Sequence, residues 1–352
     1  MKKKFKTPLL FALLSSSIYA EQITENLRLD AYANIQTNIN EKEDSFQLSG
    51  GLQTRYQINH NLSATAQLYI SEGENDKEMH SNSLKNYNVE IKWLYLAYYL
   101  GYDFSVRVGK FQFPVFKSSE TGTIGYTYTS TTTPLNYYGA FGCNDFKGLE
   151  LLKRFTLGEL DILTQLSIGK SENELYGKDN STLTGTVNSL SALTLKTSND
   201  FMLLNIGYLE AKSDLDHLNI SSVNIKMHAL ETEIYNDTFT LKAGIIQSKL
   251  SYIFPDELRY YSSLEYNYEQ FTPYILYSNE IFDYTDTEKI KAPTSDQERS
   301  FIKKYSIGTR YDLDTNIALK LSYTHTINLY ENTNNTIQEN DDTIIGTINV
   351  IF

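Results

Sequence analysis

One cysteine stands among the 352 residues, Cys143. A chain with a single thiol forms no internal disulfide, and Cys143 is expected to be a small buried or loop residue. The histidines, His60, His80, His217, His228 and His325, are scattered without a zinc-ligand spacing, so no metal or other cofactor is expected. No Gly-x-Ser-x-Gly elbow accompanies His228 or His325, which leaves a hydrolase without its nucleophile. Proline is scarce, 6 in all, as in a chain built mostly of paired strands. After residue 20 no stretch approaches the ~20 consecutive apolar residues of a membrane-spanning helix. Bases number 31 against 43 acids, a net −12, and a negative chain repels nucleic acid phosphates.

The first twenty residues read differently from the rest. Lys2, Lys3, Lys4 and Lys6 precede a short apolar run, Pro8–Leu14, and then Ser15–Ala20, which ends on a small residue. This predicts a secretory signal peptide over 1–20, too short to anchor the chain by spanning, with the mature chain beginning at Glu21. Without those four lysines, 27 bases face 43 acids, or −16.

Beyond residue 20 the dominant pattern has a period of two. Leu27, Leu29, Ala31, Ala33 and Ile35 alternate with Arg28, Asp30, Tyr32 and Asn34, and Leu62, Ala64, Ala66 and Leu68 with Ser63, Thr65 and Gln67. Ile317, Leu319, Leu321 and Tyr323 alternate with Ala318, Lys320, Ser322 and Thr324, and the chain ends inside such a segment, Thr343–Phe352. Period two belongs to strands. Mean hydropathy is −0.38, low for a helical membrane protein and suited to a barrel in which only alternate residues meet lipid. About sixteen segments of roughly ten residues can be counted, the length of a tilted spanning strand. Short turns are expected near 59–61, 101–103, 156–159, 199–200, 236–237, 269–270 and 312–316. They interleave with longer loops near 39–44, 72–87, 111–145, 170–185, 212–222, 248–259, 283–300 and 331–342. An even strand number with short turns on one rim and long loops on the other argues for an all-β transmembrane antiparallel barrel over a soluble sandwich or β-helix. Trp93, Tyr95 and Tyr99 are assigned by parity to a lipid-facing aromatic girdle.

The longest connection, about 111–145, follows the fifth strand and is rich in aromatic and apolar residues, which argues against disorder. The strand before it ends Arg107-Val108-Gly109-Lys110-Phe111. That ending is similar to the Arg-x-Gly-basic ending before the third loop of Gram-negative diffusion porins, and the terminal Phe352 resembles their assembly signal. The order of elements resembles that family over the whole mature chain. The loop departs from it: Phe113-Pro114-Val115-Phe116 with Lys117 stands where an acidic Pro-Glu-Phe-type signature is usual. The resemblance implies a sixteen-stranded barrel (21–352) with an inward-folded third loop as its constriction, and a homotrimer in the outer membrane. It implies passive diffusion of ions and small hydrophilic solutes, outer-membrane lipid and lipopolysaccharide around the wall, and barrel-assembly machinery reading Phe352.

In such a pore, acids on the loop face bases on the wall and set ion preference. Inward parity offers Arg28, Arg55, Arg107, Arg310 and Lys320 from strands, and the loop offers Lys117, Glu120 and Asp145. Tyr126, Tyr128, Tyr137 and Tyr138 either pack the loop against the wall or form a track for sugar rings. Ala31, Ala33, Ala64 and Ala66 are the small residues expected at a trimer face. A sugar- or anion-selective channel and an adhesion barrel with acidic loops such as Ser71–His80 and Asn332–Asp342 are the competing functions.

Overall fold

The structure is a computed structural model that describes residues 21–41, 44–72, 87–133, 145–176, 182–215, 220–250, 255–284, 297–332 and 335–352. The expected signal peptide, Cys143, Tyr137 and Tyr138 lie outside the described residues. Seventeen strands follow one another: β1 (Glu21–Thr24), β2 (Leu27–Asn40), β3 (Ser45–Asn59), β4 (Leu62–Glu72), β5 (Tyr87–Gly101), β6 (Phe104–Gln112), β7 (Asp145–Leu157), β8 (Leu160–Tyr176) and β9 (Thr182–Ser198); then β10 (Met202–Leu215), β11 (Ile220–Tyr235), β12 (Phe239–Leu250), β13 (Asp256–Tyr266), β14 (Phe271–Asp283), β15 (Gln297–Asp314), β16 (Ile317–Asn332) and β17 (Asn335–Ile351). Each strand from β2 to β17 pairs antiparallel with the next, and β17 pairs with β2 from Thr343↔Asn40 to Ile351↔Tyr32. The result is a closed antiparallel ring of 16 strands plus the short β1. Ring closure gives each strand from β2 to β17 a paired neighbour on both sides.

The seam is finished by the two chain ends. Phe352 N–H donates to the Ala31 carbonyl at 2.8 Å, and Ala31 N–H donates to the Phe352 carbonyl at 3.3 Å. Below that point β1 takes over the same edge of β2, with Glu21 opposite Leu29, because the other edge of Leu27–Leu29 is already paired with β3. The sequence pattern does not show this small strand, which has no alternation of its own.

All seven expected short turns are present between strand ends. Three use one device. Asn59, Asn199 and Asn236 each accept two backbone N–H bonds on Oδ1 at 2.8–3.1 Å, from residues two and three positions on. Such Asx turns replace the ladder bonds lost where the chain reverses. At the β5–β6 turn Tyr102 and Asp103 both take positive φ, 51° and 57°, as a tight hairpin requires. On the other rim the strands run further than expected. Within the expected loops, the described residues 170–176, 182–185, 212–215, 220–222, 331–332 and 335–342 belong to strands, with Asn332 opposite Asn335 and His325 opposite Asp342. Polar composition disguised these segments as loops, whereas backbone pairing needs no apolar side chains.

Residues 113–133, after β6, pack on one face of the sheet, the face carrying Asn34, Thr194, Asn205, Glu265 and Lys320. By alternation that face also carries Thr65, Gln67 and Glu150, all buried. The opposite face carries exposed Leu52, Leu68, Leu94, Leu96, Val108, Leu241, Ile275 and Leu321. Trp93, Tyr95 and Tyr99 do not belong to that apolar face. The β4–β5 register shifts at Lys92, where Gln67 is opposite Trp93 but Leu68 is opposite Ile91. The extra residue of the bulge reverses parity downstream, so Tyr95 sits 5.2 Å from the Phe111 ring instead. Exposed aromatics beside the tight turns, among them Phe155, Phe239, Tyr266 and Phe271, occupy the apolar face in their place.

Over the long halves of β9–β12 the two faces exchange character. In β11, Val223, Ile225, Met227 and Ala229 are buried on the face that bears the loop. Asn224, Lys226 and His228 lie on the opposite one. Across strands, the opposite face passes from Ile206–Leu230–Ile245 to Tyr208–His228–Gln247 and then to Glu210–Lys226–Lys249 in successive rows. An apolar cluster of Leu190, Ala192, Leu209, Ala211, Met227, Ile246 and Tyr261 faces the loop there.

Candidate functional site

Residues 113–133, between β6 and β7, form the site. Pro114, without an N–H, starts the segment, and tight backbone turns follow at Phe116–Ser119, Ser118–Thr121 and Thr121–Ile124. A single 3₁₀ turn, Gly125–Thr127, lies further on.

The first part is held by apolar burial. Phe113, Val115 and Phe116 are at most 6% exposed and pack on the β9–β12 cluster. Burial of each such side chain is worth about 1.5–3 kcal/mol. Phe113 stacks on Phe146 at 5.9 Å. Gly207 lets the strand approach, because a Cβ there would stand 2.3 Å from the Val115 carbonyl oxygen. Thr194 Oγ1 donates to the Pro114 carbonyl at 2.9 Å, and Asn205 Nδ2 to the Val115 carbonyl at 3.0 Å.

The middle is ionic. Lys117 N–H donates to Glu231 Oε2 at 2.7 Å, and its ammonium pairs with Glu233. Arg107 lies 3.3 Å from Glu120 and 3.1 Å from buried Glu150, with its guanidinium 5.4 Å from the Tyr95 ring centre. Glu150 also accepts from Gln165 at 2.6 Å and Ser167 at 3.2 Å, so this buried carboxylate is compensated on each side.

The last part is held through its carbonyls. Asn34 Nδ2 donates to the Thr123 carbonyl at 2.9 Å, and Gly125 N–H donates to Asn34 Oδ1 at 3.0 Å. A Cβ on Gly125 would lie 2.2 Å from Asn349 Nδ2. Lys320 Nζ, on a side chain buried in β16, donates to the carbonyls of Gly125 at 2.6 Å and Ser130 at 3.0 Å, and to that of Tyr128. Arg310 Nη1 donates to the Tyr126 carbonyl at 2.6 Å, and its guanidinium stacks 4.5 Å from the Tyr126 ring. Thr129 Oγ1 donates to Glu265 at 2.7 Å, and Glu265 pairs with Lys242 at 2.6 Å. Burial pushes the Tyr128 hydroxyl up to about 12, so the phenol stays neutral.

Arg107, Lys117, Glu120, Arg310 and Lys320 are thus brought together around the segment. Their roles differ from the expected field of loop acids against wall bases, since Arg310 and Lys320 hold backbone carbonyls. Asp145 is not part of the set. It pairs with Lys110 at 2.9 Å on the opposite face, shown by Phe146 and Glu150, which alternate with it and contact the segment's side. Arg28 and Arg55 share the segment's face but lie opposite one another beside the tight turns. Both are exposed, and Arg28 pairs with Asp30 at 2.8 Å. Tyr126 and Tyr128 serve as packing residues, the first donating its hydroxyl to the Thr315 carbonyl at 2.8 Å. Sequence reasoning missed Glu231, Glu233, Lys242, Glu265, Asn34 and Asn349. The two glutamates of β11 share a face with Met227 and Ala229, so alternation alone assigned them no side.

No family model and no curated protein matches the chain. Solved structures do. OmpF of Salmonella typhi, in a complex with daunomycin, has a TM-score of 0.62 at 15% identity, covering 93% of this chain and 98% of that one. The anion-selective porin from Comamonas acidovorans has 0.61 at 11%, covering 93% and 99%. OmpT of Vibrio cholerae in its trimer form has 0.56 at 9%, covering 93% and 99%. At these identities the likeness is one of fold: a closed 16-strand ring shared with bacterial outer-membrane porins.

Proposed function

We propose that the chain is an outer-membrane porin, a channel for passive diffusion of ions and small hydrophilic solutes, with residues 113–133 lying inside the ring as its constriction. The observation that carries this reading is the segment's set of anchors. It bonds Thr194, Asn205 and Glu231 of β9–β11 and also Asn34 of β2 and Lys320 of β16, with its Gly125 packed against Asn349 of β17. One short segment reaches both sides of a closed ring by crossing it. A ring of sixteen strands is wide enough for water beside such a segment. The apolar face would meet lipid, and export would use the signal peptide over 1–20. The lipopolysaccharide, the assembly machinery reading Phe352 and the homotrimer belong to the same reading. For the trimer, Ala64 and Ala66 border a shallow depression of about 230 Å³ on the apolar face, and the similar OmpT was solved as a trimer.

The charges at the segment are largely paired with one another, so ion preference should be mild and follow the acidic chain toward cations. Reconstitution of the mature chain in planar bilayers tests this. Stepwise conductance with a small cation-selective reversal potential in a salt gradient is expected, and Glu120→Ala should move that potential toward zero. A barrel that inserts without conductance would overturn the reading.

A further inference from the structure

The space beside the segment is not uniform. Toward β9–β12 it is filled by the dry apolar cluster. Toward β12–β14 a small recess of about 110 Å³ is bordered by Lys117, Lys242 and Glu265. Toward β14–β17, β2 and β3 there is a cavity of about 310 Å³, at the low end of small-molecule sites. Its floor is Ser130–Thr133, and its walls include Asn38, Ser45, Ser306, Thr324 and Thr326. Among the described residues that bound it, one is charged, Lys304, and that ammonium lies 3.7 Å from Glu280.

We infer that this cavity is a binding site for a neutral polyhydroxylated solute of the mono- or disaccharide class. A hydroxyl or carboxamide both donates and accepts, which is what each hydroxyl of a sugar requires. Several of these groups are already set in place by mutual bonds: Asn38 Nδ2 donates to Ser45 at 3.0 Å, and the Ser306 and Thr324 hydroxyls lie 2.8 Å apart. Leu276 and Ile345 add an apolar strip against which the C–H face of a sugar ring can lie. A charged solute finds no such match, because removal of its hydration would go uncompensated. The site rests on the channel reading, in which the cavity is the vestibule above the constriction, and it adds saturable binding of neutral solutes to a channel that also conducts ions.

The test uses the full mature chain, folded and purified in detergent, titrated calorimetrically with maltose and, in parallel, with gluconate and glucosamine. Saturable binding of maltose is expected, with both charged probes weaker by about tenfold or more. Asn38→Leu with Thr324→Val should abolish it. Ser45→Ala with Ser306→Ala, which adds no bulk, should weaken it severalfold in a barrel of unchanged heat-modifiable migration. Non-saturable heats, or equal affinity for the charged probes, would overturn the site. The same samples in planar bilayers separate the two readings. KCl conductance without maltose binding sinks the site and keeps the channel, whereas maltose binding without conductance sinks the channel and keeps the site.

Discussion

Lys320 illustrates what single residues decide here. A lysine on a strand is ordinarily a solvated charge, and its sequence position offers nothing more. Here the ammonium is buried and replaces its lost water with carbonyl oxygens of Gly125, Tyr128 and Ser130. Lys320→Met removes the donors and leaves those acceptors to find others, at about 1–3 kcal/mol for each left unsatisfied. The expected outcome is a barrel that still migrates as folded but shows larger and noisier unit currents, read in single-channel records. Gly125→Ala should act similarly, since its Cβ would displace the Asn34–Asn349 contact, in which Asn349 Nδ2 donates to Asn34 Oδ1 at 3.1 Å. Unit currents identical to those of the parent chain in both variants would rule out these anchors. Parity predicted the face of Lys320 and Arg107. It did not predict their partners, because those come from a segment that has no period.

At the scale of the element, β11 shows most clearly the reversal that β9–β12 share against the rest of the sheet. One half carries Glu231 and Glu233 on the segment's face, and the other half carries Val223, Ile225 and Met227 on that same face. The polar row of Glu210, Lys226 and Lys249 opposite them is therefore expected to stand above the hydrocarbon. Two substitutions separate this from a conventional wall. Met227→Asp buries an unpaired carboxylate and should lower stability by about 3–5 kcal/mol. Lys226→Leu should change it by no more than about 0.5 kcal/mol, as for an ordinary wet surface. Both are read from urea-unfolding midpoints in lipid vesicles. A large gain for Lys226→Leu would mean that this row does meet lipid. The bulge at Lys92 teaches the same lesson in β5: one inserted residue moves Trp93 and Tyr95 to the other face, and no composition rule marks where it falls.

For the whole molecule, closure is the decisive fact, and the small outward residues near the seam bear on assembly. Ala33→Arg together with Ala66→Arg should convert a trimer to monomers in mild detergent, measured by light scattering. A trimer that survives both would place the interface elsewhere. The approximate strand number, the turn rim and the terminal strand Thr343–Phe352 were legible in the sequence by itself. The reason is that period two and turn residues are local, and a spanning sheet must close on itself to satisfy its backbone. The tertiary structure alone decided which charges meet the 113–133 segment, where the two faces of β9–β12 exchange character, and that Asp145 turns away. Those outcomes depend on bulges, on strand ends that pair past the expected loops, and on a folded segment whose contacts lie up to hundreds of residues away along the chain. Local spacing carries no record of them.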